Sequence, residues 1–166
     1  VEDKELTKKG YRRNVAAVIV NGRGDVLACH RSDLKGVWQL PQGGVDEGEC
    51  DEDALMRELE EEIGTRDICV IDKLPETIIY DWPPEYHRQD YCGQEQTYFM
   101  VTINEGAVLD LNRHHKPEFD HCQWMKVNEF LSLLSGFKTK AYEEALGLFV
   151  MRNPDVFKEE ERVCSA

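Results

Sequence analysis

The segment Gly43–Thr65, GGVDEGECDEDALMRELEEEIGT, constrains this chain more than any other. Eight acidic residues fall between Glu49 and Glu62, and Arg57 is the only basic residue among them. Leu55, Leu59 and Ile63 recur at every fourth position, which predicts a helix over 49–63 with one apolar stripe. Asp51, Glu52 and Asp53 occupy its first turns, where the helix dipole favours anions, and Gly64 suits a left-handed C-cap. Glu58, Glu61 and Glu62, at i, i+3 and i+4, share a face beside that stripe. Alone, such a cluster is unfavourable. Exposed like charges at these spacings repel by roughly a few tenths of a kcal/mol per pair, and the C-terminal half of a helix disfavours anions. A divalent cation removes the conflict: hard oxygen donors suit Mg²⁺ or Mn²⁺, and such a metal activates water and stabilises charge on a departing phosphate. Arg57 can reach Glu61 at i+4 and Asp53 at i−4, holding a carboxylate in place. The competing reading is a solvated acidic helix face. Gly43-Gly44 before the helix, Gly64 after it and the placement of Arg57 weigh against that reading.

The remainder reads as a single domain. With 166 residues, 41% of them hydrophobic and 32% charged, the chain is long enough for one core and has no disordered composition. A polar arm is expected over 1–10, with no apolar core of a secretion signal, then a domain over 11–152 and a charged, frayed tail over 153–166. Asn14–Val20 and Val26–His30 read as strands joined in a hairpin by the Asn21–Asp25 turn. Val70–Ile79 mixes strand and turn character, and Asp81–Gly93, with Pro83-Pro84 and three aromatic residues, reads as a long irregular segment. Strands are expected over Thr97–Ile103 and His121–Val127, with a loop over Asn112–Pro117 between them. Asn128 is placed to cap a short helix with Phe130, Leu131 and Leu134 inward. A last amphipathic helix, Thr139–Met151, turns Ala141, Ala145, Leu148 and Phe149 inward. No run approaches the length of a membrane span. Cysteines at 29, 50, 69, 92, 122 and 164 match no zinc spacing and read as reduced thiols, several of them buried, in a cytoplasmic protein. The net charge of −13 argues against sequence-blind binding of long nucleic acid, though not against reading one nucleotide end.

The acidic segment resembles the Nudix box: Gly, five residues, Glu, seven residues, then Arg-Glu-aliphatic-any-Glu-Glu-any-Gly-aliphatic. Here these are Gly43, Glu49 and Arg57-Glu58-Leu59-Glu60-Glu61-Glu62-Ile63-Gly64-Thr65, with Thr65 the one departure, at a packing position. The resemblance implies an α/β/α sandwich with a mixed β-sheet core and a metal-dependent hydrolase of nucleoside diphosphate linkages. It implies Glu58, Glu61 and Glu62 as metal ligands and Glu49 as an auxiliary ligand or a support for Arg57. Further segments, GYRRNVAAVIV, WQLPQGGVDEGE, IIYDWPPE, GQEQTYF, KPEFDHCQW and GFKTKAYEE, resemble one subgroup over about residues 10–150. That subgroup contains the bacterial RNA pyrophosphohydrolases and the asymmetric diadenosine tetraphosphate hydrolases.

By that resemblance Glu118 returns to the metal site as a further ligand or base, and the base lies among Glu58, Glu62 and Glu118. Arg12 meets substrate phosphates through its two-pronged donor geometry, Gln42 donates to a phosphate oxygen, and Gly43 and Gly44 are among the substrate-binding positions. Lys138 faces the site, and Tyr80 and Phe137 are candidate platforms for a nucleobase, each otherwise an ordinary core aromatic. Three positions depart from the subgroup: Glu95, Thr97 and Thr139 stand where basic residues are common, removing positive charge near the expected phosphate or RNA path. Arg13 replaces a frequent proline. The implied activity is removal of diphosphate from the 5′ end of triphosphorylated RNA, a step in RNA decay, with cleavage of dinucleoside polyphosphates beside it. The alternative makes the dinucleoside tetraphosphate the main substrate. No protein partner and no membrane association is indicated.

Overall fold

The computed structural model describes residues 10–158. Within them run β1 (Gly10–Ile19), β2 (Val26–Arg31), β3 (Trp38–Gln39), β4 (Gln42–Gly44), α1 (Asp51–Ile63), β5 (Ile68–Lys73), β6 (Ile78–Asp81), β7 (Tyr91–Ile103), β8 (Phe119–Met125), α2 (Val127–Leu133) and α3 (Thr139–Arg152). The apolar run of β1 has no alternation because both of its faces are buried. Val15, Ala17 and Ile19 pack with Leu55, Leu59 and Ile63 of α1. Ala16, Val18 and Val20 pack on the other side with Phe130 of α2 and Tyr142, Ala145 and Phe149 of α3.

The central sheet runs β4-β1-β7-β5, with β6 also on β7. The β1–β7 pair is parallel and the others antiparallel. A second, antiparallel sheet runs β3-β2-β8. The fold is therefore mixed α/β, a mixed central sheet flanked by helices, as the family resemblance implied. Among the described residues no helix is long and apolar enough to cross a membrane.

Several local expectations are corrected. The hairpin forms only at its base, where Val20 and Val26 make an isolated antiparallel bridge. Beyond it β1 and β2 part into different sheets, because each has two faces to bury, β1 pairing with β7 and β2 with β8. The irregular segment ends early: β7 starts at Tyr91, drawn into register by Gly10 and the strand that follows it. Helix α1 starts at Asp51 rather than Glu49, since Glu49 closes the preceding turn through Asp46. Its end is as expected. Gly64 has φ +77°, and its N–H donates to the Leu59 and Glu60 carbonyls. Asn128 lies inside α2, whose N-cap is Lys126. Leu148 is exposed, and α3 instead buries Tyr142 and Leu146. Of the described cysteines only Cys29 is fully buried, while Cys50 and Cys69 are exposed. Residues 153–158 do not fray as a unit, since Val156 and Phe157 pack against the core. The polar arm expected over 1–10 gives up Gly10 to β1, and its residues 1–9, the tail over 159–166 and Cys164 lie outside the described residues.

Candidate active site

The two glycines of β4 create the site by what they leave out. A Cβ on Gly43 would fall inside the Glu58 carboxylate, and one on Gly44 would fall inside the Arg12 guanidinium. The carboxylate helix and β1 thus press side chains onto the two positions of the strand that have none of their own. Between them Arg57 acts as a brace. Its guanidinium donates to Glu49 at 2.8 and 3.0 Å, to Glu58 at 2.7 Å and to the Gly44 carbonyl at 2.8 Å. Glu61 lies 3.8 Å away, as the i+4 spacing predicted. Asp53, the expected i−4 partner, is not among the contacts of Arg57; the loop residues Glu49 and Asp46 take that side instead. Hydrogen bonds from Arg57, then from the Asp46 N–H, hold the Glu49 carboxyl down at about 2.

The Glu side chains of α1 are graded in burial. Glu62 is 6% exposed, and Glu58 and Glu61 have side chains 13% and 44% exposed. The Glu62 carboxylate accepts the Gln42 N–H at 3.1 Å. Burial first, then the Glu118 and Glu58 carboxylates, raise its proton affinity well above the ordinary range. Glu58 is pushed up to about 7, chiefly by burial, with Arg57 opposing and Glu61 and Glu118 adding to the rise. Glu118 stands just before β8 and receives a hydrogen bond from Gln39 Nε2 at 3.1 Å. The structure thus brings Glu58, Glu62 and Glu118 to one place and leaves Glu61 at its rim.

Behind this wall lies a buried polar network that sequence reading missed. Gln42 turns its side-chain oxygen inward, accepting from Tyr142 Oη at 2.5 Å and from Gln96 at 3.5 Å. Gln96 in turn donates to Asn14 at 2.8 Å. The side-chain oxygen of Gln42 is therefore committed to the fold, and its backbone N–H positions Glu62.

Beside the carboxylates opens a cleft of about 250 Å³ lined by Arg31, Gln42, Tyr80, Tyr86, Phe137 and Lys138, among others. Phe137 lies with its ring centroid 6.0 Å from Tyr80 and 5.6 Å from Tyr86. Gln39 joins cleft to carboxylates: its oxygen accepts from Lys138 Nζ at 3.3 Å and Arg31 at 3.4 Å, while its nitrogen holds Glu118. Burial, and after it the Arg31 charge, lower Lys138 to about 8. Arg31, Gln39 and Tyr86 were not singled out from sequence. The one signal in the sequence is a polar residue set between Trp38 and Leu40.

The departures fall elsewhere than expected. Gln94 lines the cleft, and strand alternation puts Glu95 and Thr97 on the opposite face of β7. Thr97 donates to Asp51 and Glu95 accepts from Thr77. Arg13 pairs with Asp51 at 2.6 Å. Thr139 alone of the three departures lines an adjoining pocket with Phe137 and Lys138.

The donor set of α1 and Glu118 is all oxygen, and buried carboxylates of raised proton affinity fit a hard divalent cation. Among the described residues a different trio, His30, Asp120 and His121, offers donor atoms within 4.8 Å of one another. Nitrogen donors suit softer transition metals. Here, moreover, His30 Nε2 accepts the Gly36 N–H at 2.9 Å, which leaves the ring proton on Nδ1, aimed at Asp120 2.8 Å away. A ligating Nδ1 could not carry that proton.

A mixed sheet carrying an Arg-braced glutamate helix defines a class, and comparison agrees: residues 10–145 match the NUDIX domain model, and the chain belongs to that family. Its relatives include proteins named RNA pyrophosphohydrolase. That of Sulfurovum sp. (strain NBC37-1) is 40% identical over 149 residues, covering 86% of this chain and 95% of the relative. That of Helicobacter pylori (strain G27) is 40% identical over 150 residues, covering 87% and 96%. Among solved structures, the E. coli dihydroneopterin triphosphate pyrophosphohydrolase superposes with TM-score 0.67 at 21% identity, covering 87% of this chain and 99% of that one. A C. elegans Ap4A hydrolase binary complex does so with TM-score 0.62 at 17% identity, covering 85% and 98%. These two share the fold. The chain is a Nudix hydrolase, acting on phosphoanhydride bonds.

Proposed function

We propose that this hydrolase removes diphosphate from the 5′ end of triphosphorylated RNA and also cleaves dinucleoside polyphosphates, with Mg²⁺, or Mn²⁺ in its place, held by Glu58, Glu61, Glu62, Glu49 and Glu118. The observation that carries this reading is the Gln39 junction, which sets an aromatic, cation-lined cleft against the carboxylate wall. The cleft suits a base and its phosphates, the wall suits metal, and the scissile linkage would lie between. The 40% identity to proteins named RNA pyrophosphohydrolase supports the same substrate class.

When bound, the metal supplies Lewis acidity at the phosphate oxygens and a more acidic water. Arg57 fixes Glu58 and Glu49, and the Gln42 N–H fixes Glu62. Arg12, whose guanidinium lies against Gly44 and makes no hydrogen bond or ion pair among the described residues, donates to the phosphates. Lys138 adds positive charge, and Tyr80 and Phe137 hold the base. Water attacks phosphorus, its proton passes to one of Glu58, Glu62 or Glu118, and the anhydride bond breaks to leave 5′-monophosphate RNA and pyrophosphate.

A main activity on dinucleoside tetraphosphates is the second reading, favoured by the net charge of −13, which repels long polyanions. An equimolar mixture of diadenosine tetraphosphate and a short 5′-triphosphorylated RNA, incubated with Mg²⁺, separates the two. Faster formation of 5′-monophosphate RNA is the expected result, and prior loss of the dinucleotide would reverse the order of substrates. The cleft also sets a pH dependence. Lys138 loses its charge as pH rises through about 8, so kcat/KM on RNA should fall across that range. Lys138→Met should be roughly 10-fold slower at pH 7 and lose that limb; a limb unchanged in the variant would assign it to another group.

A further inference from the structure

Strands β2 and β8 carry two cysteines for which the hydrolytic site has no use. Cys29 and Cys122 are directly opposed in the antiparallel ladder, and their sulfurs lie 3.0 Å apart. Opposed residues in such ladders have Cα atoms about 4.5 or 5.5 Å apart, and both separations lie in the range that disulfides span. Bond formation needs the sulfurs to close by about 1 Å. The two differ in access. Cys29 is fully buried among Leu27, Leu59 and Phe119, and burial pushes its thiol up. Cys122 is partly exposed.

We propose that Cys29 and Cys122 are a peroxide-oxidisable dithiol that closes into a reversible disulfide latching β2 to β8. The Cys122 sulfur attacks one oxygen of hydrogen peroxide; the O–O bond breaks, one water leaves and Cys122 becomes a sulfenic acid. The Cys29 sulfur then attacks that sulfur; the S–S bond forms, the S–O bond breaks, and hydroxide departs with the Cys29 proton as a second water. Two thiols are oxidised and one peroxide is reduced to two waters. The crosslink closes a loop of 93 residues that contains α1 and most of the central sheet. It should stabilise the fold by restricting the unfolded chain. This inference is independent of which nucleotide is hydrolysed.

The test treats the reduced full chain with hydrogen peroxide, then alkylates it in denaturant and maps peptides by mass. The expected product joins the peptides of residues 29 and 122, two hydrogens lighter than the thiol pair, and is reversed by dithiothreitol. Its melting temperature should rise by roughly 5–10 °C. Cys122→Ser should show neither change. In Cys29→Ala, Cys122 should accumulate as a sulfenic acid trapped by a cyclic 1,3-diketone. The proposal is overturned if Cys29 and Cys122 stay alkylatable at peroxide levels that oxidise the exposed Cys50 and Cys69. It is overturned equally if Cys122 over-oxidises in the wild-type chain without crosslinking, if the crosslink leaves the melting temperature unchanged, or if the diketone leaves Cys122 unlabelled.

Discussion

Glu62→Gln should leave the protein folded while slowing phosphoanhydride hydrolysis by roughly 100- to 1,000-fold. The side chain is buried beside two other carboxylates, and its oxygen accepts the Gln42 N–H. Glutamine keeps that acceptor and the volume, and it removes a buried like charge, so the metal-free variant should melt at or above the wild-type temperature. Mg²⁺ should raise the wild-type melting temperature by preferential binding to the folded state and do so much less in the variant. A pH dependence follows with its sign. Glu58 has an ordinary value of 4.5 and is pushed up to about 7 in the fold, with Glu62 displaced in the same direction. The folded state therefore holds these protons more tightly than the unfolded chain, and the stability this contributes, complete below about 4.5, is lost as pH rises through about 7. Metal-free wild type should thus melt progressively lower between pH 5 and 8, and Glu62→Gln should flatten that decline. Thermal melts with and without Mg²⁺ across this range, paired with turnover, decide the matter. Near-normal turnover with an unaltered Mg²⁺ shift would remove Glu62 from the site.

Gly43→Ala should be the most damaging single methyl in the protein for activity, at a modest cost in stability. The backbone at Gly43 has a negative φ, so alanine is sterically allowed there. The obstacle is the Glu58 carboxylate, which occupies the position of the new Cβ. That carboxylate is the far end of a side chain and can rotate away, but doing so breaks its 2.7 Å bond to Arg57. The expected destabilisation is about 1–2 kcal/mol, against a fall in kcat of roughly 100-fold from displacing a group by an ångström or so. Gly44→Ala makes an informative partner, because it displaces Arg12 instead and should act mainly on KM. Steady-state kinetics on both variants would show the split. Equal kcat losses in the two would mean that the glycines serve the strand rather than the side chains pressed upon it.

Helix α1 was legible in the sequence because its information is local: an apolar stripe, a glycine terminator and carboxylates at i, i+3 and i+4. The strands of the core were legible for the same reason, as short apolar runs. Pairing was not. Whether Val26–Arg31 continues a hairpin with β1 or crosses to β8 depends on residues almost a hundred positions away, and periodicity cannot see that choice. The site divides along the same line. Glu58 with its Arg57 brace, and Glu62, follow from spacing, whereas the Gln42–Gln96–Asn14 network becomes visible only when β4, β7, β1 and α3 are assembled, and the Gln39 junction only when β2 and β3 meet Glu118 and Lys138. Arg57 illustrates both sides. Its i+4 neighbour Glu61 was predictable, but its strongest partners, Glu49 and the Gly44 carbonyl, come from the loop that precedes the helix.

The parallel pairing of β1 with β7 also bears on how the protein is made. Asn14 and its hydrogen-bond partner Gln96 are 82 residues apart, so the centre of the sheet cannot close until most of the chain has left the ribosome. The acidic helix is synthesised long before the strand that completes its floor. Loop closure of this length is slow compared with helix formation. A nascent chain stalled before Tyr91 would carry an apolar strand with one whole edge unsatisfied, a ready substrate for chaperones or for aggregation.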